Sequence, residues 1–212
     1  MTNWKLAMDA GLGYYLFFFA LLLIVATVAY AANAGLIKLP GRSTQSESKT
    51  TAAFMHAIKK AAGIKGFEVM GKTTVAFGGQ QFTFDAILLG YYGTIAVKAN
   101  YESGEIYGSH KDESWCAVSA EGKKTYFENP LDSLMGCTRL FKDLYTEERV
   151  KFGMSDSFVV FADKKAKVFT GKKLEVYTLD KLGEKLTSEK YTRDNGADIN
   201  AMKAALEKYA VK

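Results

Sequence analysis

Residues 81–101 read QFTFDAILLGYYGTIAVKANY, and no other stretch narrows the possible folds so sharply. Phe82, Phe84, Ala86 and Leu88 alternate with polar or opposite-face positions, residues 94–97 form a short β-rich run, and Gly90 and Gly93 bracket a tight turn. That spacing predicts two adjacent strands, with Asp85 on the first and Lys98 on the second. A carboxylate and an amine brought together at a sheet end make one buried ion pair on the plainest reading. They also suit a site that handles phosphate.

The residues that follow favour the second reading. After GTIAVKANY come SGEIYG at 103–108, Trp115, and ENPLDSL at 128–134. In this order the segments resemble the nuclease-related domain (NERD) family. Its pattern runs from an Asp on one strand to a Gly-then-hydrophobic strand ending in Glu-x-Lys-Asn-Tyr, then a G-x-I-Y-G segment, a Trp, and an Asn-Pro-Leu that opens a helix. The resemblance implies a restriction-endonuclease-like PD-(D/E)xK domain of α/β (α+β) class over residues 52–188, with a mixed central sheet and flanking helices. It also implies Mg²⁺ held by an Asp and a Glu, with a Lys assisting the attacking water. Carried over by position, Asp85 matches the metal-binding Asp and Lys98 the catalytic Lys, while the backbone carbonyl of Val97 points toward the metal. Ala96 stands where the family has its Glu.

That replacement weakens the expected chemistry. Mg²⁺ takes about six oxygens in near-octahedral array, one or two of them carboxylates, and must be held firmly to activate water against a phosphodiester. Asp85 and a carbonyl make a poor cage, so the Mg²⁺ expectation is itself conditional. A relocated acid would rescue it, and Glu68, Glu102, Glu105 and Asp112 are candidates. The resemblance also places Tyr101, Tyr107, Trp115 and Ser133 toward substrate; Ser133 fills a slot where the family has Gln. Lys111, Lys123 and Lys124 with Tyr107 and Trp115 suggest a surface for phosphates and stacked bases. The competing reading is a small hairpin whose Trp caps the core.

The N-terminal part has a different character. No charged residue occurs in 10–37, and residues 14–32 are almost continuously apolar, long enough as a helix to cross a hydrocarbon core of about 30 Å. We expect a flank over 1–10, a single transmembrane helix over 11–37 with aromatic belts at Trp4, Tyr14, Tyr15 and Tyr30, and a flexible linker over 38–51. Lys38, Arg42 and Lys49 against Lys5 and Asp9 place the domain on the cytoplasmic side. A cleaved signal peptide ending near Ala31 or Ala34, releasing a secreted domain, is the alternative. Cys116 and Cys137 are expected as free thiols.

Further along, Thr51 is expected to cap a helix to about residue 62, and Asn129-Pro130 to open another carrying Leu131, Leu134, Thr138, Phe141 and Tyr145 on one face. Residues 157–162 read as a buried strand, 167–169 and 174–177 as edge strands. Asp180 begins a short helix, and Asp198 caps the amphipathic C-terminal helix within 189–212. The net charge of +5 comes mostly from residues 151–212. It permits attraction to DNA, RNA or anionic lipid headgroups. The function expected is a metal-dependent nuclease at the membrane or a non-catalytic descendant that uses the same groove to bind nucleic acid or a protein partner.

Overall fold

The computed structural model describes residues 44–171 and 174–211, and the account below concerns the unit from Lys49 onward. The expected membrane helix over 11–37 lies outside the described residues. Among those described, no helix is long and apolar enough to cross a membrane.

A five-stranded mixed sheet forms the centre. Strands β1 (Glu68–Met70), β4 (Ala86–Gly90), β5 (Gly93–Asn100), β9 (Met154–Phe161) and β11 (Val176–Thr178) lie side by side in the order β1-β4-β5-β9-β11. β1, β4 and β5 pair antiparallel, whereas β9 runs parallel to both β5 and β11. β9 is apolar over residues 158–161 because both its faces are covered. The sheet's odd and even residues feed two separate cores. Ile87, Leu89, Ala96, Val159 and Phe161 meet helix α2 (Cys137–Glu147) and helix α5 (Ile199–Lys208). Ala86, Leu88, Ile95, Val97, Phe158 and Val160 meet α1 (Thr44–Gly63), α3 (Leu179–Leu186) and the single turn α4 (Glu189–Thr192).

A second sheet of four strands, in the order β10 (Lys167–Thr170), β6 (Glu105–Gly108), β7 (Ser114–Val118), β8 (Lys124–Glu128), lays Ile106, Trp115 and Ala117 against the first core. β2 (Thr73–Phe77) and β3 (Gln80–Phe84) form a separate hairpin.

Two glycines of the SGEIYG segment are fixed by sterics. Gly104 has φ +89°, and a Cβ there would lie 2.2 Å from the Val118 carbonyl oxygen. At Gly108 a Cβ would lie 2.3 Å from the indole of Trp115, which packs flat on the bare backbone. The indole Nε1–H donates to the Ser109 carbonyl at 3.0 Å, and the buried Asn129 amide donates to the Asp112 carbonyl at 2.9 Å. Trp and Asn therefore clamp the same loop from two sides.

Three local expectations are corrected. α1 begins at Thr44, so part of the expected linker over 38–51 is helical and Thr51 lies within the helix. No Gly or Pro after Gly41 halts the helix on that side. The helix expected at Asn129-Pro130 is a 3₁₀ turn, Asp132–Leu134, and the α-helix starts only at Cys137. Gly136, with φ +88°, separates the two. Asp85 sits at a bend between β3 and β4 rather than within one continuous strand. The C-terminal helix is as read: the Asp198 carboxylate accepts from the Ala201 N–H at 3.0 Å, and Met202 and Leu206 are fully buried.

Candidate functional site

The bend at Asp85 shifts the side-chain alternation by one residue: Phe84 joins the first core, as do Ile87 and Leu89 three and five residues on. Register does the rest. Ala86 lies opposite Val97, and the Asp85 N–H donates to the Val97 carbonyl at 3.0 Å. On β5, Thr94 and Ala96 face the first core, with the Thr94 hydroxyl 2.9 Å from that of Tyr145 on α2. Lys98, two residues beyond Ala96, shares that face because successive strand residues alternate.

Asp85 and Lys98 meet there. The Lys98 ammonium is 3.6 Å from Asp85 Oδ2, with the side chains 30% and 16% exposed. Lys98 Nζ also donates to the Thr83 carbonyl at 3.4 Å. The closest contact of the carboxylate is to backbone: Asp85 Oδ2 accepts the Ala99 N–H at 2.9 Å. Ala96 is wholly buried among apolar neighbours.

The other candidate acids are engaged elsewhere, Glu102 excepted. Glu68 sits opposite Leu89, at the far end of β4 from Asp85, and pairs with Lys203 of α5. Glu105 accepts from the Tyr107 hydroxyl at 2.7 Å, and Asp112 accepts from the Ser109 N–H at 2.8 Å. The Glu102 carboxylate makes no hydrogen bond or ion pair among the described residues; only its N–H is bonded, to the Asn100 side chain at 2.8 Å. No group of three His, Cys, Asp or Glu among the described residues is arranged to hold a metal ion. One carboxylate already holding an N–H and facing an ammonium, with a carbonyl already accepting from Asp85, does not fit the donor set Mg²⁺ requires.

The residues expected toward substrate are scattered. Tyr101 packs edge-on to Phe54 of α1 at 6.3 Å between ring centroids. The Ser133 hydroxyl donates to the Pro130 carbonyl at 2.8 Å. Trp115 is fully buried and offers no face for a base, whereas Tyr107 is exposed and stacked on Phe169.

Sequence reasoning missed a polar cluster on the opposite face of the main sheet. Asp156 of β9 accepts from the hydroxyls of Tyr92 at 2.6 Å and Tyr191 at 2.8 Å, and pairs with Lys190 at 2.6 Å. Burial pushes the Asp156 carboxyl up, but the hydrogen bonds from Lys190, Tyr92 and Tyr191 outweigh it and leave it below the ordinary carboxylate range. Burial and the Asp156 carboxylate raise both tyrosines well above the phenol range. Isolated polar letters in the GYYG, MSDSF and EKYT segments carry no signal for such a cluster, since Asp156 lies 64 residues from Tyr92 and 35 from Tyr191.

The family model for the nuclease-related domain matches residues 45–162, more than half of the chain. The chain belongs to the NERD family. The matched span takes in α1, the Asp85 bend, the β5 lysine, the clamped Trp115 loop and all of β9 to Phe161. No curated protein and no solved structure matches. Members of the NERD family are nuclease-related and of the PD-(D/E)xK kind, which generally uses a divalent metal; in this NERD chain Asp85 and Lys98 form a pair, and Ala96 lies two residues before Lys98 on the same strand.

Proposed function

We propose that this chain is a membrane-anchored NERD protein that binds nucleic acid at the Lys98 end of β5 and has lost the metal chemistry of its family. The observation that carries the reading is the alanine in the second ligand's place, buried in apolar packing beside an Asp85 engaged by Lys98 and the Ala99 N–H. Lys98, partly exposed and held at 3.6 Å rather than in a tight pair, remains available to a phosphate. The uncharged run over 10–37 supports the anchor.

The test combines cleavage and binding on the full chain in neutral detergent. Plasmid nicking is followed with Mg²⁺ or Mn²⁺, and binding of labelled DNA and RNA by anisotropy in EDTA. The native chain is expected to bind without nicking, and Lys98→Ala to weaken binding. One observation favours a second reading, an active Mg²⁺-dependent nuclease with a relocated ligand: Glu102, four residues past Lys98, has an unengaged carboxylate among the described residues. Metal-dependent nicking by the native chain, lost in both Asp85→Ala and Glu102→Gln, would establish that reading and overturn the first.

A further inference from the structure

The outer face of the four-stranded sheet carries an aromatic row that neither the Asp85 site nor the cores use. Strand register aligns Phe169 of β10 with Tyr107 of β6, Tyr107 with Cys116 of β7, and Cys116 with Tyr126 of β8. The inner face of the same strands supplies Ile106, Trp115 and Ala117 to the core, so these four side chains point away from it. Phe169 is 50% exposed, Tyr107 42% and Tyr126 68%. Three exposed aromatics on one line of a small sheet are more than scattered surface hydrophobics explain.

The row has the shape of a slot. Phe169 and Tyr107 stack on each other, 5.2 Å between centroids and 13° from parallel, making one double wall. Tyr126 stands two strands away from Tyr107, about 9.5 Å at the backbone, with the small Cys116 as the floor between them. A flat ring sandwiched between two others needs about 7 Å, which this backbone spacing exceeds. Two residues along the strands, Lys167 aligns with Glu105, Glu105 with Val118, and Val118 with Lys124. Neither Lys124 nor Lys167 has an ion-pair partner among the described residues, while the Glu105 carboxylate, which lies between them in register, accepts from the Tyr107 hydroxyl. A gap wide enough for a ring, beside two ammonium groups that outnumber the one carboxylate between them, is complementary to a base joined to its phosphates.

We propose that this face binds single-stranded nucleic acid, with one base entering between Tyr107 and Tyr126 and the adjoining phosphates lying along Lys124 and Lys167. The proposal rests on the nucleic-acid reading above and adds a ligand class to it. A duplex hides its ring faces in its own stack, whereas a single strand presents them, and aromatic stacking accepts any base. The sheet thus supplies affinity without sequence choice.

The probes are a fluorescein-labelled 12-nucleotide oligo-dT, the matching oligo-rU and a 12-base-pair duplex, titrated in EDTA with the full chain in neutral detergent. Tyr126 and Phe169 are surface side chains, so Tyr126→Ala and Phe169→Ala leave the cores intact; thermal midpoints check this. Tyr126→Ala is expected to weaken single-strand binding at least about fivefold, as loss of one stacked base does, and Tyr126→Phe to restore it. Lys124→Ala is expected to lower the salt dependence of binding by about 0.7 in log–log slope. Unchanged oligonucleotide affinity in both aromatic variants overturns the proposal while leaving the Lys98 reading standing. No binding of any probe by the native chain overturns both. Self-association of the native chain that Tyr126→Ala abolishes, with oligonucleotide affinity unaltered, overturns it in favour of a protein interface.

Discussion

Replacing Asp85 by alanine separates a carboxylate retained for chemistry from one that has become a strut. The side chain makes two contacts of unequal kind. The hydrogen bond from the Ala99 N–H at 2.9 Å is charge-assisted and half-sheltered, of the sort worth about 1.5–3 kcal/mol. The contact to Lys98 at 3.6 Å joins two groups with 16% and 30% of their surface in water, and such pairs contribute about 0–1 kcal/mol. Asp85→Ala is therefore expected to cost about 2–3 kcal/mol, and Lys98→Ala under 1. The double-mutant cycle should return a coupling of no more than about 1 kcal/mol, since most of the aspartate's contribution goes to backbone. Asp85→Asn keeps an acceptor for the Ala99 N–H and should cost about half as much as alanine. At roughly 2–4 °C per kcal/mol for a domain of this size, Asp85→Ala lowers the melting midpoint by about 4–12 °C. Differential scanning calorimetry or urea unfolding measures it. A carboxylate held in a working site generally stabilises little, and its removal often stabilises. If Asp85→Ala is neutral or raises the midpoint, the strut argument is wrong and the aspartate is still being kept for a reaction.

Three further outcomes follow from the geometry. Ala96→Glu places a carboxyl in an apolar core with no exposed surface; the cost is expected at about 3–5 kcal/mol, and a fall in stability under about 1 kcal/mol by urea titration would mean that room for the acid persists. Gly108→Ala drives a methyl into the indole of Trp115, with an expected loss of about 3 kcal/mol or more and a red shift of tryptophan emission; unchanged emission would refute the packing argument. Asp156 has a folded pKa below its unfolded value, so its contribution is complete above the ordinary carboxylate range and disappears as pH falls through the lower folded value. The gap in urea midpoint between native protein and Asp156→Asn should accordingly narrow as pH falls through and below the ordinary carboxylate range, and a constant gap would count against the network.

What could be read in advance was whatever depends on short-range pattern. The hairpin of β4 and β5, the buried β9, the short helix from Leu179 and the Asp198-capped helix were all legible from period and caps. The juxtaposition of Asp85 and Lys98 followed from their places on two paired strands. The Asp85 bend was not legible, because Phe82, Phe84, Ala86 and Leu88 keep an unbroken alternation in the sequence while the chain inserts a residue's worth of twist at 85. The delayed start of α2 is not legible because Asn129 has the pattern of a cap but spends its amide on the 109–112 loop. Trp115 was read as either a platform or a plug, and only the facing Gly108 decides for the plug. The aromatic row depends on parallel pairing between β6 and β10, some sixty residues apart, which no local window contains.

The bare backbone under Trp115 has a consequence for which positions tolerate substitution. Gly104, Gly108, Trp115 and Asn129 are each demanded by shape: remove one and the small sheet no longer closes over its loop. The acid once expected at position 96 is demanded only by a reaction. Those two kinds of requirement respond differently to substitution, for the architecture must be rebuilt in every molecule synthesised, whereas a small apolar side chain at position 96 satisfies the fold by itself. The segments by which the family is recognised in this chain therefore answer to packing, whatever reaction the chain performs.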